Sequence, residues 1–160
     1  MTNDSSATRL TILPAGPAHV DTVEAITRQT IAAVYPRYYP QGAVAFFQAH
    51  HSRERIARDV EAGRVFLAVQ EGTPVGTVTL GDGEISRLFV LPEHQGKGAG
   101  RLLMQFAEET LFIRFETIVL HASLPAKRIY LKNGYAETAY HIIKTENGDF
   151  LCFDEMHKRR

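Results

Sequence analysis

Apolar residues along this chain follow two different periods, and the change of period predicts an α/β fold. From residue 18 to residue 61 they recur every three to four positions, which is typical of helices packed on one face. From residue 64 onward, short apolar and β-branched runs predict strands, with two further helical segments between them. The predicted helices cover 18–33, 44–50 together with 53–61, 98–113 and 124–133. The predicted strands cover 9–13, 64–70, 75–80, 84–91, 117–121, 137–144 and 149–156.

The connections between these segments predict how the strands pair. Tight turns at 71–74 and 81–83 join three successive strands, so an antiparallel meander is expected. The helix at 98–113 joins strand 84–91 to strand 117–121, and such a crossover predicts parallel pairing between the two strands. The element order β-α-α-β-β-β-α-β-α-β-β then gives an α/β domain with a mixed, mostly antiparallel central sheet and helices on both faces.

The two ends of the chain show no strong structural pattern. Residues 1–7 are polar and predict a disordered tail, while the basic residues 157–160 predict a solvated tail. The sequence between them contains no linker-like stretch, so residues 1–160 are expected to form a single domain.

Three glycines at alternate positions, Gly96, Gly98 and Gly100, lie between a predicted strand and a predicted helix. Helix propensity does not explain them, since a glycine inside a helix costs about 1 kcal/mol relative to alanine. A close approach of bare backbone N–H groups to a ligand does explain them. The first turn of a helix offers unpaired N–H donors and the positive end of the helix dipole, so the predicted ligand carries a phosphate.

Two common nucleotide-binding motifs do not fit this turn. A nucleoside-triphosphate loop needs a Lys-Ser/Thr pair after its last glycine, and no suitable glycine here is followed by one. A dinucleotide-binding turn needs a third glycine where Arg101 stands. The next strand also ends at His121 and Ala122 instead of at the acidic residue that would hold a ribose.

Charge and composition narrow the classes of partner. The chain has 18 Lys and Arg residues and 18 Asp and Glu residues, a balance that argues against a general nucleic-acid or anionic-membrane binder. The single cysteine, Cys152, excludes an internal disulfide and a cysteine-rich zinc site, and it suits a reducing compartment. The polar N-terminus and the lack of a membrane-length apolar run favour a cytoplasmic protein.

The glycine turn and a later segment together resemble one enzyme superfamily. Residues 95–100, Gln-Gly-Lys-Gly-Ala-Gly, are similar to the Gln/Arg-x-x-Gly-x-Gly/Ala signature of the GNAT N-acetyltransferases. Residues 129–135, Ile-Tyr-Leu-Lys-Asn-Gly-Tyr, are similar to the second signature of that superfamily, Leu-Tyr-x-Lys-x-Gly-Phe/Tyr. The predicted element order is also that of the superfamily. The resemblance implies an enzyme that moves an acetyl group from acetyl-coenzyme A directly to a primary amine of a small molecule or peptide.

The resemblance also implies a site for acetyl-coenzyme A as the co-substrate. The backbone of the glycine turn would hold the pyrophosphate, and the strand before the turn would pair with the pantetheine arm. That strand and strand 117–121 would splay apart to admit the thioester. Ser123 stands where the superfamily often has an asparagine that contacts the coenzyme. The implied coenzyme-binding residues are Leu88, Phe89, Val90, Gln95, Gly96, Lys97, Gly98, Ala99, Gly100, Arg101 and Ser123.

Acetyl transfer needs a proton acceptor for the amine and often a proton donor for the departing thiolate. Tyr130 matches the superfamily tyrosine that serves as the general acid, or else it is a core residue of a short helix. Glu84 matches the catalytic glutamate of some members, or else it is a solvated residue at a strand end. His121 is the rival base, because histidine titrates near neutral pH. Many members of the superfamily use only a chain of water molecules to accept the proton, in which case neither Glu84 nor His121 is the base.

Tyr35, Tyr38 and Tyr39 lie in the region where the superfamily selects its acceptor. They form an aromatic wall for an amine or a peptide N-terminus, or else they only hold a loop in place. The adjacent His50 and His51 point apart on a helix, so no metal site is predicted. The last strands offer an edge at which a homodimer could form. Two other functions stay open: a coenzyme-binding sensor or structural protein without transferase activity, and a nucleotide-binding domain of another kind.

Overall fold

Seven strands and five α-helices form within residues 9–160, the part of the chain that the computed structural model describes. The strands are β1 (Leu10–Pro14), β2 (Val65–Gln70), β3 (Thr73–Leu80), β4 (Ile85–Val90), β5 (Thr117–Ala122), β6 (Ala136–Lys144) and β7 (Phe150–Arg159). The helices are α1 (Val20–Val34), α2 (Gln41–His50), α3 (Arg53–Glu61), α4 (Ala99–Leu111) and α5 (Leu124–Lys132). This order confirms the predicted α/β fold. The predicted disordered tail at residues 1–7 lies outside the described residues.

The strands form two antiparallel sheets instead of one mixed sheet. The first has the order β1-β2-β3-β4, and the second has the order β5-β7-β6. Within residues 9–160 the sheets meet at one parallel bridge between Glu84 and Val119, where the Val119 N–H donates to the Gly83 carbonyl at 2.9 Å. The predicted parallel pairing of strands 84–91 and 117–121 is therefore wrong beyond this bridge, because β4 and β5 then diverge.

A bulge in β4 accounts for the divergence. The register between β3 and β4 shifts between Thr77 and Thr79, so two residues of β4 lie opposite Val78. One of the two, Arg87, has a φ of +47°, in the left-handed region that residues other than glycine seldom occupy. Bulges bend a strand and increase its twist, which turns the end of β4 away from β5.

Helices cover both faces of the first sheet, as predicted. Neighbouring residues of β2 show the arrangement: Leu67 packs in one core with Ile31 of α1, and Ala68 packs in the other core with Leu103 of α4. All four side chains are fully buried. A continuous apolar run such as β2 therefore serves two cores at once, since successive side chains of a strand point to opposite faces.

Three of the four basic C-terminal residues, His157, Lys158 and Arg159, belong to β7, which corrects the prediction of a solvated tail. Lys158 pairs with Ile118 of β5, and its ammonium lies 2.9 Å from the Glu108 carboxylate of α4. Met156, the residue just before this basic segment, is fully buried in the core under α4 and anchors this end of β7. Because successive side chains of a strand point to opposite faces, the residues on either side of Met156 lie on the other face of the sheet.

Strand β6 forms the outer edge of the second sheet, where Tyr140 and Ile142 are exposed. An exposed edge is compatible with pairing between two copies of the chain, and the homodimer stays a prediction. Over the described range, none of the helices combines the length and the apolar character needed to cross a membrane.

Candidate active site

A cleft of about 620 Å³ opens where β4 and β5 separate. Residues 85–90 of β4 run along it, and α1, α2 and α5 contribute side chains to its walls. Glu84 and His121 lie near the parallel bridge, where the two strands still touch. The glycine turn, residues 95–100, follows the other end of β4. The cleft therefore joins a candidate anion site to a candidate acid–base pair along a single strand.

The guanidinium of Arg87 holds the bulge that shapes the cleft. It is buried, with Nη1 3.0 Å from Asp59 Oδ2 of α3 and 3.0 Å from Thr79 Oγ1 of β3. Burial lowers the pKa of Arg87, and the hydrogen bond to Asp59 opposes that shift. These contacts compensate for the left-handed backbone and keep the cleft edge of β4 in place.

The glycine turn presents a row of free backbone donors. Gly96 and Gly98 have φ values of +75° and +98°, a conformation that a side chain at either position would disfavour. The first backbone bond of α4 runs from the Leu102 N–H to the Gly98 carbonyl, and within residues 9–160 the amides of 96–101 donate to no backbone acceptor. Together with the dipole of α4, these amides are suited to binding a phosphate group.

The side chain of Gln95 ties the glycine turn to β4. Its Nε2 donates to the Val90 carbonyl at 2.9 Å, and the same carbonyl accepts from the Thr30 hydroxyl of α1 at 3.4 Å. The turn is therefore fixed relative to the strand that precedes it.

Seven of the eleven predicted coenzyme-binding residues line the cleft: Leu88, Phe89, Val90, Gln95, Gly96, Gly100 and Ser123. The other four, Lys97, Gly98, Ala99 and Arg101, do not. Ala99 is buried in the core under α4, while Lys97 and Arg101 are exposed beside the turn. The two basic side chains are thus placed to add charge next to a bound anion, outside the cleft itself.

Tyr130 reaches the cleft from α5. Its ring is buried and meets the ring of Tyr135 edge to face, with 5.7 Å between the centroids. Burial raises the pKa of Tyr130, Tyr35 adds to the increase, and no hydrogen bond from the described residues opposes it. The hydroxyl therefore stays protonated at neutral pH and can donate a hydrogen bond inside the cleft.

The start of α5 is capped by a distant tyrosine. Ser123 occupies the N-cap position, but its side chain makes no capping hydrogen bond with the rest of the described chain. The Leu124 N–H donates to the Tyr39 hydroxyl at 2.7 Å, and that hydroxyl donates to the Cys152 carbonyl of β7 at 3.1 Å. Tyr39 is buried and therefore positions α5, the helix that carries Tyr130.

Of the three tyrosines predicted to contact the acceptor, only Tyr35 lines the cleft. Burial raises its pKa to about 12, and a hydrogen bond with the Ser123 side chain partly opposes the shift. Tyr38 is 51% exposed and lies outside the cleft, and Tyr39 is occupied in holding α5. The structure therefore does not assemble the expected aromatic wall from all three residues.

Glu84 and His121 face each other near the parallel bridge. His121 Nδ1 lies 3.5 Å from Glu84 Oε1, and both side chains are 45% exposed. The contact with Glu84 raises the pKa of His121, partial burial opposes the shift, and the charge of Glu155 adds to it. The two residues predicted as rival bases thus form one pair that is open to solvent.

Sequence reasoning missed His51 and Phe153, which also line the cleft. His51 meets the Phe89 ring edge to face at 5.6 Å, and its buried Nδ1 has no hydrogen-bond partner among residues 9–160. Burial lowers the pKa of His51 to about 3, with a contribution from Arg87, so the ring is neutral. Residues two apart on a strand share a face, so the buried Leu151 could have placed Phe153 of β7 on the cleft side. No local sequence pattern predicts that His51 lines the cleft.

The family model that matches the sequence is described as an acetyltransferase (GNAT) domain, and it covers residues 34–158. No curated protein matches the sequence significantly. A solved structure of a GCN5-related N-acetyltransferase from Rhodopseudomonas palustris is 23% identical, with a TM-score of 0.85 over 94% of this chain and 95% of that chain.

Two further solved structures contain the coenzyme. The PaiA N-acetyltransferase from Thermoplasma acidophilum, in complex with coenzyme A, is 17% identical, with a TM-score of 0.70 over 95% of this chain and 99% of its own. YncA from Salmonella typhimurium, with its cofactor acetyl-CoA, is 19% identical, with a TM-score of 0.72 over 95% of this chain and 94% of its own. At these identities the structures establish the fold. Because the family model spans most of the chain, the protein belongs to the GNAT acetyltransferase family and is an acyltransferase.

Proposed function

We propose that this protein transfers an acetyl group from acetyl-coenzyme A directly to a primary amine of a small molecule or peptide. The observation that carries the proposal is the cleft along β4, which gathers the glycine turn, Tyr130 and Glu84 around one space. The coenzyme complexes of PaiA and YncA support coenzyme A as the ligand of the same fold.

The coenzyme would lie along β4. Its pyrophosphate would accept hydrogen bonds from the free amides of the glycine turn, with Lys97 and Arg101 adding positive charge beside it. Its pantetheine arm, which contains amide groups, would run beside residues 88–90. That edge of β4 is free of a strand partner among the described residues because β5 has diverged. A ligand that adds backbone-like hydrogen bonds to an open strand edge is a common mode of recognition.

The transfer itself forms a C–N bond and breaks a C–S bond. The amine nitrogen attacks the acetyl carbonyl, whose oxygen is polarised by a backbone N–H of Phe89 or Val90. Glu84, in contact with His121, accepts the proton that the amine must lose. Tyr130 donates a proton to the departing thiolate, so the products are the N-acetyl amine and free coenzyme A.

The test is a panel of primary amines and peptides incubated with radiolabelled acetyl-coenzyme A. We expect label to move to at least one acceptor. Tyr130→Phe should lower kcat by about 100-fold or more, the usual scale for loss of a general acid, while the affinity for coenzyme A stays unchanged. Tyr140→Phe, at an exposed position of β6, is the matched control and should keep the wild-type kcat.

Three outcomes would contradict the proposal in different ways. A wild-type kcat in Tyr130→Phe across the pH range would remove Tyr130 from the mechanism. Coenzyme A binding without transfer to any amine would favour a sensor or structural protein. Displacement of bound coenzyme A by ATP or NAD would point to a nucleotide-binding domain of another kind.

A further inference from the structure

Three strands of the second sheet carry His121, Glu155 and His141 close together beside the cleft. His121 of β5 pairs directly with Glu155 of β7, and His141 lies on β6, the next strand. His121 Nε2 is 3.8 Å from Glu155 Oε2, and His141 Nε2 is 3.2 Å from the same oxygen. The three donor atoms all lie within 4.8 Å of one another. Two imidazoles and a carboxylate thus converge on one point.

These separations suit a four-coordinate transition metal. Zinc bonds of 2.0–2.2 Å at tetrahedral angles place the ligand atoms about 3.4 Å apart, and two of the separations above are within about 0.4 Å of that value. The side chains are partly exposed, so small rotations can close the third separation and a metal ion can reach them. Two nitrogen donors favour zinc over magnesium or calcium, which prefer oxygen ligands.

Outer partners orient the candidate ligands. Nδ1 of His121 faces the Glu84 carboxylate at 3.5 Å, which leaves Nε2 directed toward Glu155. The other oxygen of Glu155, Oε1, lies 2.9 Å from His157 Nε2. The ring of His141 stacks on Phe153, with centroids 4.9 Å apart and an interplanar angle of 15°. A carboxylate on the far nitrogen of a ligating histidine is the usual outer contact of zinc sites.

We propose that His121, His141 and Glu155 bind one zinc ion, with its fourth position open to water, and that this zinc inhibits the acetyl transfer. Zinc on Nε2 of His121 adds positive charge beside Glu84, the proposed proton acceptor, where an ammonium group has to approach. The inhibition rests on the proposed function, whereas the binding of zinc does not.

The first experiment measures zinc binding alone. Metal-free protein is titrated with Zn²⁺ in competition with a chromogenic chelator, and we expect one zinc ion per chain. His141→Ala and Glu155→Gln should each weaken the affinity by about tenfold or more, since loss of even an outer partner has an effect of that size. Circular dichroism verifies that both variants fold. His19→Gln and Cys152→Ser are controls for histidine and thiol binding elsewhere, and they should keep the wild-type affinity.

Zinc binding that is absent at micromolar Zn²⁺, or equal in the wild type, His141→Ala and Glu155→Gln, would overturn the proposed site. Displacement of the zinc by millimolar Mg²⁺ would also overturn it, because the donor set would then not select a transition metal.

The second experiment measures inhibition through the radiolabelled product, because Zn²⁺ also binds the free thiol that a colorimetric assay would detect. We expect zinc to inhibit the wild type, EDTA to restore activity, and His141→Ala to need about tenfold more zinc at an unchanged uninhibited rate. Zinc that binds without inhibiting would overturn the regulatory part. If no amine is acetylated at all, the proposed function fails, and the binding titration still decides the site.

Discussion

His51 offers a test of the cleft electrostatics through the stability of the protein. Its pKa falls from 6.5 to about 3, mainly because the ring is buried, with Arg87, His50 and Arg55 adding to the shift. The unfolded state therefore binds a proton more readily than the folded state. Consequently, the stability associated with neutral His51 is complete above pH 6.5 and is lost as the pH falls toward 3.

The size of the effect follows from these two pKa values. Between pH 7.5 and pH 5, a group with this shift lowers the free energy of unfolding by about 2 kcal/mol. Other groups also titrate in this range, and burial lowers the pKa of the neighbouring His50 as well. The contribution of His51 is therefore obtained by comparison with His51→Gln, which keeps a polar side chain that takes up no proton.

The assay is urea unfolding at pH 7.5 and at pH 5. Between these two conditions, the wild type should lose about 2 kcal/mol more free energy of unfolding than His51→Gln loses. An equal pH dependence in the wild type and His51→Gln would refute the argument that His51 is held neutral against Phe89.

Three further substitutions test the supports of the cleft. Tyr39→Phe leaves the Leu124 N–H without its partner, so it should lower the free energy of unfolding by about 1–3 kcal/mol in urea titrations. An unchanged free energy of unfolding would show that another group caps α5. Arg87→Leu leaves the Asp59 carboxylate without its ion-pair partner and should lower the free energy of unfolding by about 3 kcal/mol in thermal unfolding. Arg87→Lys should give an intermediate loss. Equal stability of the wild type and both variants would contradict a stabilising ion pair. Gly98→Ala, at a φ of +98°, should weaken coenzyme A binding several-fold by calorimetry, and an unchanged affinity would show that the turn tolerates a side chain.

The periods of apolar residues predicted most of the fold because each period matches one kind of element. Strand β2 reads as a continuous apolar run, and the structure buries successive side chains in two different cores. The turn at Gly96 and Gly98 was also predictable from the sequence, because glycines at the start of a helix indicate a left-handed backbone or a close ligand. Local sequence therefore identified the elements and the glycine turn, and the binding of an anion at this turn stays a prediction.

The parts that sequence reasoning did not predict depend on contacts between distant residues. The bulge at Arg87 needs Asp59, on a helix nearly thirty residues earlier, and that contact has no signature along β4. Ser123 has the residue type of a helix cap, yet its side chain makes no capping hydrogen bond with the described residues, and the Leu124 N–H donates to the distant Tyr39 hydroxyl. The neutral state of His51 likewise follows only from the burial that the fold imposes on it.

The separation of β4 from β5 supports both parts of the proposed mechanism, the binding of the coenzyme and the proton transfer. Strand β5 is already paired with β7, so the second sheet is complete without β4, and the open edge of β4 is left for a ligand. At the bridge the strands still touch, which brings Glu84 and His121 from different strands to within 3.5 Å of each other. A change that straightens the bulge at Arg87 should therefore affect the KM for the coenzyme and kcat together. A change at Tyr39 acts through α5 on the position of Tyr130, and it should affect kcat with little effect on the affinity for the coenzyme.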